Sequence, residues 1–374
     1  MPREQSSASS RIELLRSNVE VMRIKISVKG DYPNADLKQF LGPEQIGDHE
    51  FFFNTAVDYA DAWFVIEGAN PDDSSCVVPN NRVYFLGAET ARSIGFFYEN
   101  PGWLAYLSQF DKVLSPQELY RKGAQLSLPF LPWMINSNHG TRMLDKSERD
   151  VTYFRNLESL EKTKQLSVFC SATDITENHR ARIRFVETLS EHFGDRLDWF
   201  GNGVNPLEQK WDGIADYKYS IVLENQSSSH VLTEKIQDAF LALTVPIYWG
   251  APEAEKLFGR ESLLPIDIKN PAGAILAIEE LLDADDYENR LSSLRHAKRV
   301  VIDEINWMVR ILDILNTELE KYEDTPDLKV IRPLEYFTPG KNILDLVHQR
   351  AQSAVERLKF KWVRSPSERD GSVS

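Results

Sequence analysis

The sequence predicts an α/β fold with parallel sheets, arranged as two domains in series. Three observations predict it. The chain is longer than one core usually supports, short apolar runs suit buried strands, and amphipathic segments alternate with those runs in the second half. At 374 residues it exceeds the roughly 250–300 at which single hydrophobic cores stop growing. A hydrophobic fraction of 42% and an aromatic fraction of 11% supply well-packed interiors and leave disorder to the ends.

In the first half, residues 23–28 alternate, with Ile24, Ile26 and Val28 on one face of a strand. Residues 63–66 and 83–86 are apolar runs suited to buried strands. Gly87-Ala88-Glu89-Thr90 follows the third run directly, which places Glu89 where a strand ends. Pro101-Gly102 and the pair Pro129 and Pro132 mark irregular loops. Residues 145–164 are charged and weakly patterned and read as the connection between domains. The division that follows is a first domain over 1–160, a second over 161–330, and a helical segment with a disordered tail over 331–374.

The second half alternates more cleanly. A strand over 166–170 precedes a helix over 181–193, whose stripe is Ile183, Val186, Leu189 and Phe193, with Gly194 as C-cap. A strand over 197–200 ends at Gly201-Asn202-Gly203, and another covers 219–223. After a polar loop, a helix begins near Glu234 with Thr233 as N-cap and Ile236, Ala239, Phe240 and Leu243 on one face. Strands over 245–249 and 263–266 and an amphipathic helix over 272–282 complete the pattern.

Charge and cysteines narrow the function classes. The formal charge of -14 disfavours general binding to phosphate backbones, yet allows one basic pocket that grips a single nucleotide. Cys76 and Cys170 stand in no metal-ligand spacing, which suits a reducing compartment and leaves room for one disulfide. The polar start lacks an apolar signal core, and no stretch approaches the roughly 18–20 apolar residues of a membrane span. The expectation is a soluble, cytoplasmic protein that binds no nucleic acid.

In an open α/β sheet, ligands bind beyond the carboxyl ends of the strands. Glu224 and Asn225 stand at such an end, and Thr233, Glu234 and Lys235 open the next helix. Free N–H groups and the helix dipole favour an anion there, and Lys235 adds a full charge. A capped surface helix with solvated ends is the competing reading. Arg182 and Arg184, early on another helix, are either phosphate ligands or solvated side chains. Gly201 either lets a nucleotide approach the backbone or simply turns the chain. Asp283-Ala284-Asp285 resembles a metal-binding Asp-x-Asp, but it follows an amphipathic helix and reads as a solvated charge run. His139, His179 and His230 are scattered, so no metal site is assigned. Arg357, Lys359, Phe360, Lys361, Trp362 and Arg364 interleave charge and aromatics. They read first as a helix packed on the body, and second as a weak peripheral contact with an anionic membrane surface.

The stretch Tyr217-Lys218-Tyr219-Ser220-Ile221-Val222-Leu223-Glu224-Asn225, then Thr233-Glu234-Lys235, then Val245-Pro246-Ile247-Tyr248-Trp249-Gly250-Ala251-Pro252 resembles the signature of α-1,3/4-fucosyltransferases, glycosyltransferase family ten. Order and spacing agree throughout. Weaker agreement extends over 168–267, and in the first half the best match is Glu89. The resemblance implies a GT-B architecture, two Rossmann-like domains facing across a cleft. It implies GDP-fucose as donor substrate, an oligosaccharide acceptor and inversion at the sugar carbon. N-acetylglucosamine, fucosylated in α-1,3 linkage, is the acceptor it suggests. By the same resemblance Lys235 and Arg182 meet the donor diphosphate, Asn225 and Glu234 contact the donor, and Glu89 is the general base. Fixed cations at the diphosphate make no metal cofactor obligatory, while stimulation by manganese remains compatible.

One departure bears on the donor. Many members carry an acidic and an aromatic residue before the Thr-Glu-Lys triplet, where this chain has His230, Val231 and Leu232. Two alternatives therefore stand beside the fucosyltransferase: the same fold using another GDP-sugar, and a catalytically silent nucleotide- or glycan-binding protein.

Overall fold

The computed structural model describes residues 21–28, 37–68, 75–88, 102–116, 124–137, 149–318 and 326–337. Glu89, His139, the basic-aromatic segment 357–364 and the tail 365–374 lie outside the described residues.

The first sheet is parallel. Its strands are β1 (Arg23–Val28), β2 (Glu50–Phe53), β3 (Ala62–Ile66), β5 (Val83–Leu86), β6 (Lys112–Ser115) and β7 (Ala124–Leu126), in the order β2-β1-β3-β5-β6-β7. The four-residue helix α1 (Pro43–Ile46) precedes β2, and α2 (Trp103–Leu107) follows β5. Every residue of β3 and β5 is buried, as expected of central parallel strands covered on both faces. The alternation in β1 does not separate core from solvent. Ile24, Ile26 and Val28 are buried, and so are Lys25 and Ser27. The polar face of β1 is covered too: Ser27 Oγ accepts from Trp63 Nε1 at 2.8 Å.

The second sheet is also parallel and lies after helix α3 (Val151–Asn156), which occupies part of the segment expected to be an unpatterned connection. Its strands are β8 (Lys164–Phe169), β9 (Leu197–Phe200), β10 (Tyr217–Leu223), β11 (Val245–Trp249) and β12 (Leu264–Pro265), in the order β12-β11-β10-β8-β9. Helix α4 (Glu177–Phe193) follows β8, and α5 (Glu234–Leu241) follows β10. Then come α6 (Ala254–Phe258), α7 (Pro271–Ala284) and α8 (Tyr287–Val300), which continues through a π-helical turn, Val301–Ile305, to α9 (Trp307–Glu318). The chain steps from β8 outward to β9, then returns to place β10 on the other side of β8. This reversal opens a crevice between the carboxyl ends of β8 and β10, flanked by the N-termini of α4 and α5.

The last described segment returns to the first sheet's side of the molecule. Strand β13 (Pro326–Val330) pairs antiparallel with β4 (Ser75–Pro79), and Ile331 and Leu334 enter the cluster around Trp63, Phe85 and Trp103. Helix α9 ties the halves together. The Asn306 side chain, just before it, donates to Phe40 O at 2.6 Å. Arg310 donates to Pro129 O, Leu128 O and Ser127 Oγ, and its guanidinium lies 3.8 Å from the Phe130 ring centroid. One apolar core runs through both sheets, with Phe40, Trp133 and Trp307 in mutual aromatic contact through Phe40. The fold is α/β, built on two parallel sheets. No helix among the described residues is long and apolar enough to cross a membrane.

Candidate functional site

The crevice between β8 and β10 begins with Glu224, the residue after β10. It has no exposed surface. Burial pushes its carboxyl above the usual carboxylate range, and nearby Lys235 opposes that push. Its oxygens are engaged: Oε1 accepts the Thr233 N–H at 2.8 Å, and Oε2 accepts Thr233 Oγ1–H at 2.6 Å. The sequence places Glu224 at the strand end beside the expected donor site, and the structure shows its carboxylate pulling the far end of the loop 225–232 onto that strand end. Gly250 makes room for this arrangement, since a Cβ there would come within 2.5 Å of Glu224 Cγ and 2.2 Å of the Tyr248 hydroxyl.

Thr233 is the N-cap of α5 as expected, with an extended backbone and Oγ1 accepting the Lys235 N–H. Helix entry at Thr233 aims Glu234 and Lys235 into the crevice mouth, where each side chain keeps between a fifth and a quarter of its surface exposed. Lys235 Nζ lies 3.0 Å from Glu234 Oε1, 3.1 Å from Thr233 Oγ1 and 3.6 Å from Glu224 Oε2. Burial works to lower the lysine, but the two carboxylates outweigh it and raise its pKa. Burial works likewise to raise Glu234, and Lys235 with Lys210 outweighs it and holds the group at about 2. Both are ionised at neutral pH.

Arg182 comes from the opposite wall. It lies on the buried face of α4, and its residue exposure is 6%. Its Nη1 donates to Leu223 O at 3.0 Å, which brings the guanidinium to the end of β10. Its Nε is buried without a hydrogen-bond partner. Burial lowers its pKa, against the charges of Cys170, Glu224 and Glu234, and a guanidinium stays protonated regardless. A buried cation with an unmatched donor is costly unless an acceptor arrives. Arg184, two residues further along the helix, pairs with Glu177 at 2.7 Å on the exposed face.

The other expected residues fall around this cluster. Asn225 is half-buried beside Glu224. Gly201 sits on the β9 side, and its role is a close backbone approach: a Cβ would stand 2.3 Å from Cys170 O. Gly203, with φ +81, then turns the chain. Of the three residues before the Thr-Glu-Lys triplet, Val231 and Leu232 are each 1% exposed, and His230 has a left-handed backbone with its N–H donating to Glu253. Asp285 pairs with Lys218 at 2.6 Å, at the amino end of β10 and away from the crevice. Cys76 and Cys170 are both buried and form no disulfide with each other. Among the described residues no group of three or more His, Cys, Asp or Glu side chains is placed to hold a metal.

Two participants escaped the sequence reading. His179 lies one turn before Arg182 on α4, where its Nδ1 accepts the Thr176 N–H at 3.2 Å in a reciprocal cap. Burial, then the charges of Arg182 and Lys235, lower its pKa. The spacing of three residues from Arg182 was the available signal. Lys210 pairs with buried Asp238 at 2.5 Å, and no local pattern announces it.

Comparisons with known proteins agree with this region. Residues 160–290 match the family described as glycosyltransferase family 10 (fucosyltransferase) C-term. The Alpha-(1,3)-fucosyltransferase FucT of Helicobacter pylori is 32% identical over 130 residues, which are 32% of this chain and 27% of that relative. The match therefore spans about a quarter of the curated relative's length. A crystal structure of alpha1,3-fucosyltransferase with GDP-fucose superposes with a TM-score of 0.45 at 20% identity, covering 74% of this chain and 82% of that one. A crystal structure of alpha1,3-fucosyltransferase gives a TM-score of 0.48 at 18% identity, covering 89% and 95%. Residues 160–290 are thus similar to the C-terminal region of glycosyltransferase family 10, the fucosyltransferases.

Proposed function

We propose that the protein is an inverting fucosyltransferase that moves fucose from GDP-fucose to a hydroxyl of a glycan acceptor, with N-acetylglucosamine and an α-1,3 linkage as the specific case. The observation that carries the reading is the Arg182 guanidinium, buried at the end of β10 with Nε unmatched, in the crevice that also holds Lys235. Two cations at the N-terminus of a helix following a parallel strand suit a diphosphate. The family matched by residues 160–290 and the name of the Helicobacter pylori relative support fucose as the sugar.

In the transfer, the acceptor oxygen bonds to the anomeric carbon from the face opposite the diphosphate. The bond from that carbon to the diphosphate breaks, and its electron pair leaves with GDP. Glu89 would take the acceptor proton, as the family resemblance implies. Arg182 and Lys235 would stabilise the charge that gathers on the leaving group. Removing one such donor at comparable sites costs about 10²–10³ in kcat. This arrangement makes no metal obligatory and is compatible with stimulation by manganese. Glu234, ionised at neutral pH, would accept hydrogen bonds from donor hydroxyls.

A second reading changes only the sugar. Val231 is buried in the core, so this position offers no aromatic surface to a donor sugar. A GDP-sugar other than GDP-fucose is then the donor. A transfer assay with GDP-fucose, GDP-mannose and an acceptor panel separates the two. The fucose reading expects turnover with GDP-fucose that Glu89→Ala abolishes while GDP binding persists. Turnover of GDP-mannose alone would replace the sugar, and full activity of the Glu89 variant would remove it from the base role.

A further inference from the structure

Glu67 is the first residue after β3. The first sheet reverses there as the second does at β10: the chain steps from β1 outward to β2, then returns to place β3 on the other side of β1. Ligand crevices open at such reversals, beyond the carboxyl ends of the strands. Glu67 thus stands in the first sheet where Glu224 stands in the second. Its backbone is left-handed, with φ +59. Asn54, Asn81, His230 and Asp285 share that sign and are residue types that adopt it readily; glutamate is not one of them. Two hydrogen bonds hold the turn. The Glu67 N–H donates to Leu86 O at 3.2 Å, and its Oε1 accepts the Ala88 N–H at 2.6 Å.

The two residues after β5 are fixed from several sides. The Gly87 N–H donates to Leu114 O at 2.7 Å, and Gly87 O accepts the Phe130 N–H at 3.0 Å. A Cβ on Gly87 would stand 3.2 Å from Ser115 Cα, so the backbone runs close against the end of β6. Ala88 is 2% exposed, and Glu67 takes its N–H. The next residue in the chain is Glu89. In the second sheet Glu224 likewise accepts the N–H of Thr233, the residue before Glu234. We propose that Glu67 is a positioning residue for the general base: its carboxylate holds the Ala88 N–H and so fixes the backbone from which Glu89 extends. The proposal rests on the reading of Glu89 as that base. A base must come within hydrogen-bond reach of the proton it takes, and misplacement by an ångström costs about 10²-fold in rate. The hydrogen bond to Ala88 offsets the cost of the left-handed backbone, a kind of strain that gathers at functional sites.

The test is steady-state transfer from GDP-fucose by the full chain and by Glu67→Ala, Glu67→Gly and Glu67→Gln, with Glu89→Ala as reference and GDP affinity measured by calorimetry. The Ala and Gly variants are expected to lose about 10–100-fold in kcat. Their KM for GDP-fucose and their GDP affinity should stay within about twofold of wild type. Glycine takes a left-handed backbone without strain, so Glu67→Gly separates the lost hydrogen bond from lost stability where the Ala variant does not fold. Glutamine keeps the Oε1 acceptor and should restore most of the lost kcat. Wild-type kcat in the Ala and Gly variants, beside an inactive Glu89→Ala, overturns the proposal and leaves the base standing. A Gln variant as slow as Ala overturns it too, because the charge and not the hydrogen bond is then what transfer needs. A matching loss of GDP affinity marks a purely structural role and overturns it as well. Full activity of Glu89→Ala, or a wild-type chain that binds GDP but does not use GDP-fucose, removes the reading beneath it, and this role with it.

Discussion

Lys25 in the first sheet and Lys235 at the end of the second are both enclosed lysines, and their surroundings differ in kind. Lys25 is 0% exposed, its Nζ donates to Thr55 O at 2.9 Å, and it stands 5.0 Å from the Trp63 ring centroid. Lys235 meets two carboxylates and a hydroxyl, keeps a quarter of its side chain exposed, and shares its crevice with an arginine whose Nε is unmatched. The first lysine is matched by backbone and aromatic groups inside a finished core. The second belongs to a cluster that keeps a buried arginine N–H for something that arrives from outside. Burial alone therefore does not mark function; unspent hydrogen-bonding capacity at a strand end does.

Substitutions can break or sharpen this contrast. The largest effect is expected at the crevice. Arg182→Ala and Lys235→Ala should each lower kcat for donor use by about 10²–10³, read in a steady-state transfer assay. Gly250→Ala comes next. Its new Cβ collides with the Tyr248 hydroxyl and Glu224, so unfolding in urea should show a loss of about 1–3 kcal/mol. Donor affinity should fall with it, because Glu224 holds Thr233 in place. Lys25→Met should cost about 1–2 kcal/mol in the same unfolding experiment and leave donor affinity unchanged; a loss of affinity there would erase the contrast. The smallest effect belongs to Lys218→Ala. It removes a partly exposed ion pair with Asp285 at the far end of β10, worth roughly 0–1 kcal/mol.

Much of the second sheet was legible because its signals are local. Thr233 caps α5, Gly194 ends α4 with φ +53, and β10 and β11 pair in register from Tyr219 with Val245 to Leu223 with Trp249. The stripe of α4 holds at Val186, Leu189 and Phe193 and misses at its first position. The buried face is Arg182, Phe185, Val186, Leu189 and Phe193, while Ile183 is only half-buried. Read at that spacing, Arg182 would have declared itself an inward-facing arginine four residues before Val186. The alternation of β1 places Ile24, Ile26 and Val28 on one buried face, and does not show that Lys25 and Ser27 on the other face are buried too. Lys210 was not legible at all. Its partner Asp238 is 28 residues away, and their meeting depends on how an irregular turn closes over a helix face. Glu224 was found for its position, and only the fold showed that its oxygens are engaged by Thr233.

The central claim is that the crevice between β8 and β10 takes a GDP-sugar diphosphate on Arg182 and Lys235. A thermal-shift screen of the wild-type chain with GDP, GDP-fucose, GDP-mannose and UDP-sugars, repeated on Lys235→Ala, addresses it directly. GDP and GDP-fucose should raise the Tm of the wild type and lose most of that effect in the variant. Stabilisation by UDP-sugars alone, or by GDP equally in both proteins, would contradict it.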